Sequence, residues 1–199
     1  MLRCINKQHW NTEKIKHSFL RAKPFPHVVL KNFLVTKTAR QLHKDLKMKD
    51  FLEKNTDLFQ FMQTTAAQNM NGAIKDFFDA WSSQEILDYI STLVGEHVSR
   101  ADMSGFCYRP GDYLLPHDDL LEGRKVAYVL NLSRNFTQKD GGALEFFHTK
   151  AGSPVKVVKK IIPTWNTLTL FQVCDTSFHQ VEEILSNKKR YSLAGWFHG

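Results

Sequence analysis

The sequence has no run approaching the roughly 20 consecutive apolar residues that a membrane-spanning helix requires. Its first residues, MLRCINKQHWNTEKIK, lack the continuous apolar segment of a secretory signal. Cysteine is scarce: Cys4, Cys107 and Cys174 are odd in number, widely spaced and never arranged as C-x-x-C. That argues against a disulfide framework, a thiolate zinc site and a redox pair, and leaves three free thiols. H-E-x-x-H is absent, as are internal repeats, low-complexity tracts and linkers. These absences point to an intracellular protein, cytoplasmic or, in a eukaryote, nuclear. They also point to one domain over residues 1–199 with no membrane partner.

What is present is ordinary for a globular chain: 199 residues, 42% hydrophobic and 24% charged, enough to close a core and too apolar for disorder. The net charge of +7, from 27 Lys and Arg against 20 Asp and Glu, favours anionic partners such as RNA, a ribonucleoprotein or a small dicarboxylate. The lysines are spread along the chain, densest at Lys159-Lys160 and Lys188-Lys189-Arg190, so most read as a solvated basic face.

Periodicity divides the chain in two. After two prolines, the run from Pro24 to Leu34 suits a strand entering a turn. From Thr36, taken as an N-cap, Ala39, Leu42 and Leu46 predict an amphipathic helix to about Lys49. A second helical region is expected over 73–94, broken at Ser82-Ser83, where a serine could cap the second half. Beyond Gly95 short apolar stretches at 104–108, 125–132, 143–148, 155–162, 167–173, 178–185 and 190–198 alternate with turn residues, the spacing of an all-β barrel or sandwich. The expected architecture is mostly β with flanking helices: helical support over about 36–95 and a β core over about 99–198. Residues 50–72 are the candidate lid, with 55–68 fitting either a strand or a mobile flap.

The chemistry-bearing residues are His117, Asp119 and His179. Two histidines and one carboxylate, the first pair separated by one residue, form the ligand set of a facial triad that leaves three positions of an octahedral metal open. On an extended segment residues i and i+2 point to the same side, so His117 and Asp119 could share one metal while Asp118 points away, with a partner strand supplying His179. Zinc would prefer a tetrahedral set. The bland alternatives are a chance H-x-D and a core histidine on an apolar strand. Eleven residues after His179, Arg190 opens a strand on which Ser192, Ala194 and Trp196 share its face. A guanidinium with a nearby hydroxyl suits the C5 carboxylate of 2-oxoglutarate. The bland alternative for Arg190 is a surface cation beside two lysines.

Several segments in order resemble the 2-oxoglutarate oxygenases of the prolyl hydroxylase type, closest to the catalytic domain of the ribosomal-protein prolyl hydroxylases. They are Pro26–Phe33, Leu115–Asp119 with Glu122–Ala127, Gly141–Leu144, Ile162–Asn166, Ser177–Val181 and Gly195–Gly199. The resemblance covers nearly the whole chain. It implies a double-stranded β-helix, a jelly-roll or cupin-like core. It further implies Fe(II) held by His117, Asp119 and His179, 2-oxoglutarate held by Arg190, and O₂ as second co-substrate, with ascorbate as an accessory reductant. Tyr108 matches a family tyrosine whose hydroxyl reaches the co-substrate. The sequence departs from the family at Asn131, where eukaryotic members often carry tyrosine. Such members usually continue into a second, non-catalytic domain, whereas this chain runs to Gly199.

The expected reaction is 2-oxoglutarate-dependent hydroxylation of a C–H bond, foremost of a prolyl residue in a protein substrate, with ribosomal proteins among the candidates and no direct nucleic-acid binding required. Leu144, Val181 and Trp196 are candidates for an apolar wall, and Trp165 and Phe171 read as plain core. Two alternatives stand beside it. A nucleic-acid demethylating oxygenase tends to carry a second arginine six residues beyond the co-substrate arginine, where this chain has Trp196. A non-catalytic basic β-barrel module would bind RNA through its lysines.

Overall fold

The structure is a computed structural model that describes residues 2–199. In chain order the principal elements begin with α1 (Thr12–Arg21), β1 (His27–Lys31), α2 (Thr36–Leu46), β2 (Leu52–Thr56) and β3 (Phe59–Ala66). The helical support is completed by α3 (Ala73–Trp81) and α4 (Gln84–Val94). Then follow β4 (Arg100–Ala101), β5 (Ser104–Tyr108), β6 (Tyr113–His117), β7 (Arg124–Asn131), β8 (Leu144–Lys150), β9 (Ser153–Ile161), β10 (Thr167–Gln172), β11 (His179–Val181) and β12 (Arg190–His198). The mostly β jelly-roll expectation holds: one curled antiparallel sheet runs β1-β10-β7-β12-β5-β3-β6-β11-β8-β9. Its two halves, β10-β7-β12-β5 and β3-β6-β11-β8, line an internal cavity from both sides.

The helices cover the outer face of the sheet. Leu42, Leu46, Ile74, Ile90 and Leu93 are essentially inaccessible and pack on the outward residues of β7 and β12, such as Tyr128, Leu193 and Phe197. Trp81 joins the layers, its ring 5.5 Å from Phe77 and Phe197, 5.4 Å from Tyr128 and 6.0 Å from Phe33. Burying each such side chain stabilises the fold by about 1.5–3 kcal/mol. No helix among the described residues is long and apolar enough to cross a membrane.

The structure revises the sequence reading locally. Helix α2 starts at Thr36, but Val35 occupies the N-cap and no side chain caps it. The break between α3 and α4 falls at Ser82-Ser83 as expected, although Ser83 makes no capping bond and its hydroxyl donates to the Ala80 carbonyl, 2.8 Å away. Helix α1, unanticipated, has only two buried positions, Ile15 and Phe19, and is opened by Asn11 accepting from the Lys14 N–H. Residues 50–72 form a β2–β3 hairpin rather than a free flap: β3 pairs with β5 and β6, placing it inside the sheet. The first half of the chain thus contributes strands as well as helices. The stretch 178–185 shortens to the three residues of β11. None of the three cysteines forms a disulfide among the described residues, as expected.

Candidate active site

Register alone brings the two histidines together. Strands β6 and β11 pair antiparallel with His179 directly opposite His117, and their ring centroids lie 4.2 Å apart. Asp119 does not arrive by continuing the strand. β6 ends at His117, and Asp119 takes a left-handed conformation, φ 62°, so the extended i, i+2 geometry expected for this pair is replaced by a tight turn. Asp118 stabilises that turn by accepting from the Leu120 N–H at 3.0 Å. Ser177, two residues before His179, donates to the Asp118 carbonyl and ties the two segments together. The result is that one ligand atom from each of His117, Asp119 and His179 lies within 4.8 Å of the others.

The tautomers favour a cation. His117 Nδ1 lies 2.9 Å from the Leu115 carbonyl and His179 Nδ1 2.8 Å from the Ser177 carbonyl. Each Nδ1 therefore carries the proton and each Nε2 presents a lone pair, as in imidazoles set up by a hydrogen bond on the far nitrogen. Those Nε2 atoms stand 3.5 and 3.3 Å from the two oxygens of Asp119. Lone pairs facing carboxylate oxygens repel unless a proton or metal lies between them. Burial, then repulsion from His179, pushes the His117 pKa down and favours the neutral, ligating form. Burial works against ionisation of Asp119, but when no metal is bound protonation of the flanking imidazoles, which lets His179 Nε2 donate to it, outweighs burial and holds the carboxyl at about 2.

A cavity of about 330 Å³ extends from this cluster into the barrel. Arg190, Ser192, Ala194 and Trp196 of β12 all line it, as their shared face implied, together with Leu144 and Val181 from the opposite wall. Arg190 is 1% exposed, and its Nε and Nη2 have no partner in the protein. A guanidinium buried in this way requires an anion. Tyr108, opposite Arg190 in the β5–β12 register, places its ring 5.0 Å from the guanidinium carbon. Burial drives its hydroxyl far above the usual phenol range, so it stays a protonated donor. Ser192 is equally inaccessible and lies opposite Asn131 of β7.

Other residues depart from their sequence reading. Phe171, expected as plain core, lines the cavity and sets its ring 4.6 Å from His179 in an edge contact. Trp165 is only partly buried, and the Arg134 guanidinium lies 4.0 Å above its ring. Arg124 went unassigned, and Asn131 was singled out only as a departure from the family. Arg124 stacks 3.4 Å over Trp196 and reaches Asp119 Oδ1 at 3.5 Å. Asn131 is 1% exposed with neither amide atom partnered, on the cavity-facing side of β7, diagonal to Arg190. Alternation along β7 could have located Asn131; no local pattern points to the Arg124 stack.

Comparison with known proteins agrees with this geometry. Residues 103–198 match the model of the 2OG-Fe(II) oxygenase superfamily. The chain is 37% identical over 180 residues to the Mus musculus protein named prolyl 3-hydroxylase OGFOD1, covering 88% of this chain and 33% of that protein. It is 31% identical over 204 residues to the Ostreococcus tauri prolyl 3,4-dihydroxylase OGFOD1, covering 92% and 39%. The chain thus spans about a third of the length of these curated relatives. Among solved structures, a Pseudomonas putida prolyl-4-hydroxylase superposes with a TM-score of 0.75 at 18% identity, over 92% of this chain and 98% of that one. A Trichoplax adhaerens prolyl hydroxylase in complex with a hypoxia inducible factor peptide fragment gives 0.76 at 17%, over 100% and 96%. At such identities these two structures establish the shared jelly-roll fold.

Proposed function

The chain carries a 2OG-Fe(II) oxygenase domain, and from that premise we propose that it hydroxylates a prolyl residue of a protein substrate, consuming 2-oxoglutarate and O₂ and releasing succinate and CO₂. The observation that carries the reading is the pairing, across one apolar cavity, of a three-donor cluster with a buried guanidinium that has no anion. In this reading His117, Asp119 and His179 hold Fe(II), while Arg190, with Tyr108 and Ser192, holds the distal carboxylate of 2-oxoglutarate. The donor set suits iron: two neutral imidazoles and one carboxylate leave coordination positions for a chelating co-substrate and O₂. When bound, these groups supply the oxidation of an unactivated C–H bond to C–OH.

The protein's own part is positioning. Arg190 fixes one end of the co-substrate by a charge-assisted pair, and the protonated Tyr108 can donate beside it. The carbonyls of Leu115 and Ser177 keep both Nε2 atoms aimed inward. Phe59, Phe61, Val129 and Trp196 make the cavity wall largely apolar, which limits water at the reacting carbon and suits a pyrrolidine ring with no N–H to satisfy. The relatives' names, prolyl 3-hydroxylase and prolyl 3,4-dihydroxylase, favour C3 as the position attacked. Ribosomal proteins are the leading substrate class by family likeness, and an intracellular location accords with it.

Anaerobic addition of Fe(II) and then 2-oxoglutarate should produce a weak visible charge-transfer band. Incubation with host lysate should then place one added oxygen on a prolyl residue by mass spectrometry. Absence of both the band and succinate release with any peptide would overturn the oxygenase reading; oxygen found on a nucleobase would redirect it to demethylation.

A further inference from the structure

The outer face of α2 carries charge with nothing to answer it. Lys37, Arg40, Lys44 and Lys47 follow at i, i+3, i+7 and i+10 and are all exposed. At 100° per residue they fall within an arc of about 80°, and at 1.5 Å per residue they span about 15 Å. The helix's one carboxylate, Asp45, is turned away: it pairs with Lys49 at 3.0 Å and accepts from the Ile74 N–H. None of the four cations has an ion-pair partner among the described residues.

The fold extends the stripe with residues distant in sequence. His43, on the flank of α2 next to Arg40 and Lys47, packs edge-on against Trp165 at 5.4 Å and Tyr191 at 6.1 Å. Trp165 in turn lies under the guanidinium of Arg134, so the loop carrying Arg134 lies beside the helix stripe. Arg134 is exposed, with its guanidinium carbon over the Trp165 ring, 4.0 Å from the ring centre. Lys189 is exposed, two residues before Tyr191. This surface lies over the helical layer, on the side of the sheet away from the cavity.

We propose that this face, formed by Lys37, Arg40 and Lys44 of α2 and its C-cap Lys47 with Arg134 and Lys189, docks single-stranded RNA. The row of cations matches a phosphate backbone, whose neutralisation releases counterions. The stacked guanidinium of Arg134 decides among anionic partners. Held over Trp165 yet exposed, it offers a stacking surface to an unpaired base, a contact that RNA loops provide and paired duplexes do not. A membrane surface would require a cluster of exposed apolar side chains for insertion, whereas Val35 and Met48 stand apart at the two ends of α2. An acidic peptide would use the charge but leave the planar platform idle. The site is separate from the oxygenase cavity and does not depend on its assignment.

Fluorescence anisotropy of the full chain with a labelled single-stranded RNA of about 12 nucleotides tests this. Binding should weaken with salt at a slope of about −3 in log K against log concentration, the value for roughly four phosphates on a single strand. K37A/K44A/K47A should lower affinity at least about tenfold, whereas K156A/K159A on the edge strand β9 should leave it unchanged. R134K, which keeps the charge and removes the plane, should weaken RNA binding about five- to tenfold and leave duplex DNA unaffected. The proposal is overturned if wild-type protein does not bind at low salt, or if the β9 pair matters as much as the α2 triple. It is also overturned if duplex DNA, poly-glutamate or phosphatidylserine vesicles bind as tightly as the RNA.

Discussion

The cavity and the outer face of α2 both present cations, under opposite physical conditions. Inside, Arg190 is 1% exposed, close to Tyr108, with two nitrogens unpartnered. There a charge is costly to bury and its pairing correspondingly strong and specific. Outside, four cations of one helix stand in water, where each costs almost nothing to the fold and gains little from any single partner. One region concentrates its chemistry in single residues; the other distributes it across a surface. Substitutions should therefore be abrupt in the first and gradual in the second.

The largest effect is expected from His179→Ala. Loss of one of three donors should weaken Fe(II) binding and succinate formation at least about 100-fold, beyond what altering a ligand's hydrogen-bond partner does. The circular dichroism spectrum should be unchanged. Retained activity would remove His179 from the ligand set. Arg190→Met should follow: affinity for 2-oxoglutarate falls about 30- to 100-fold, while the melting temperature of the ligand-free protein holds or rises, because a buried charge without an anion is replaced by an apolar chain. A large drop in stability would show that Arg190 is structural.

Asp119 sharpens the comparison through pH. Its carboxyl is held at about 2 in the fold, below the ordinary carboxylate value of 3.8. Its stabilising contribution is therefore complete above about pH 4 and disappears as pH falls through about 2. Urea titrations of metal-free protein between these limits should show a flatter acid dependence for Asp119→Asn; parallel curves would contradict the assignment. Arg124→Ala, which removes the stack on Trp196, should cost about 0.5–2 kcal/mol of stability, measured by chemical denaturation, and loosen the orientation of Asp119. At the bottom of the scale, Lys44→Ala should shift stability by no more than about 0.5 kcal/mol. A larger change would mean that the stripe is part of the fold and not a free docking face.

Legibility followed the same division. Most strands from 104 to 198 were readable because alternation and turn residues are local, and the clamp face of β12 followed from its period of two, whereas β6, which carries His117, was not among the expected stretches. Helix α1 escaped notice because two buried residues in ten make a weak pattern. The hairpin at 52–66 stayed ambiguous because β2 is wholly exposed, and only its pairing through β3 holds it in the sheet. Phe171 looked like core because its strand is buried on both faces; that one of them is a cavity depends on the curl of the sheet.

The sequence by itself determined the donor types, the strand that carries Arg190 and Ser192, and the helical face that carries Lys37 to Lys47, since each depends on spacing within one element. Tertiary structure alone decided that His117 lies opposite His179, that Asp119 reaches them through a left-handed turn, and that Arg134 joins the α2 stripe. Those arrangements depend on register, sheet curvature and packing between segments, and such long-range contacts leave no period in the chain.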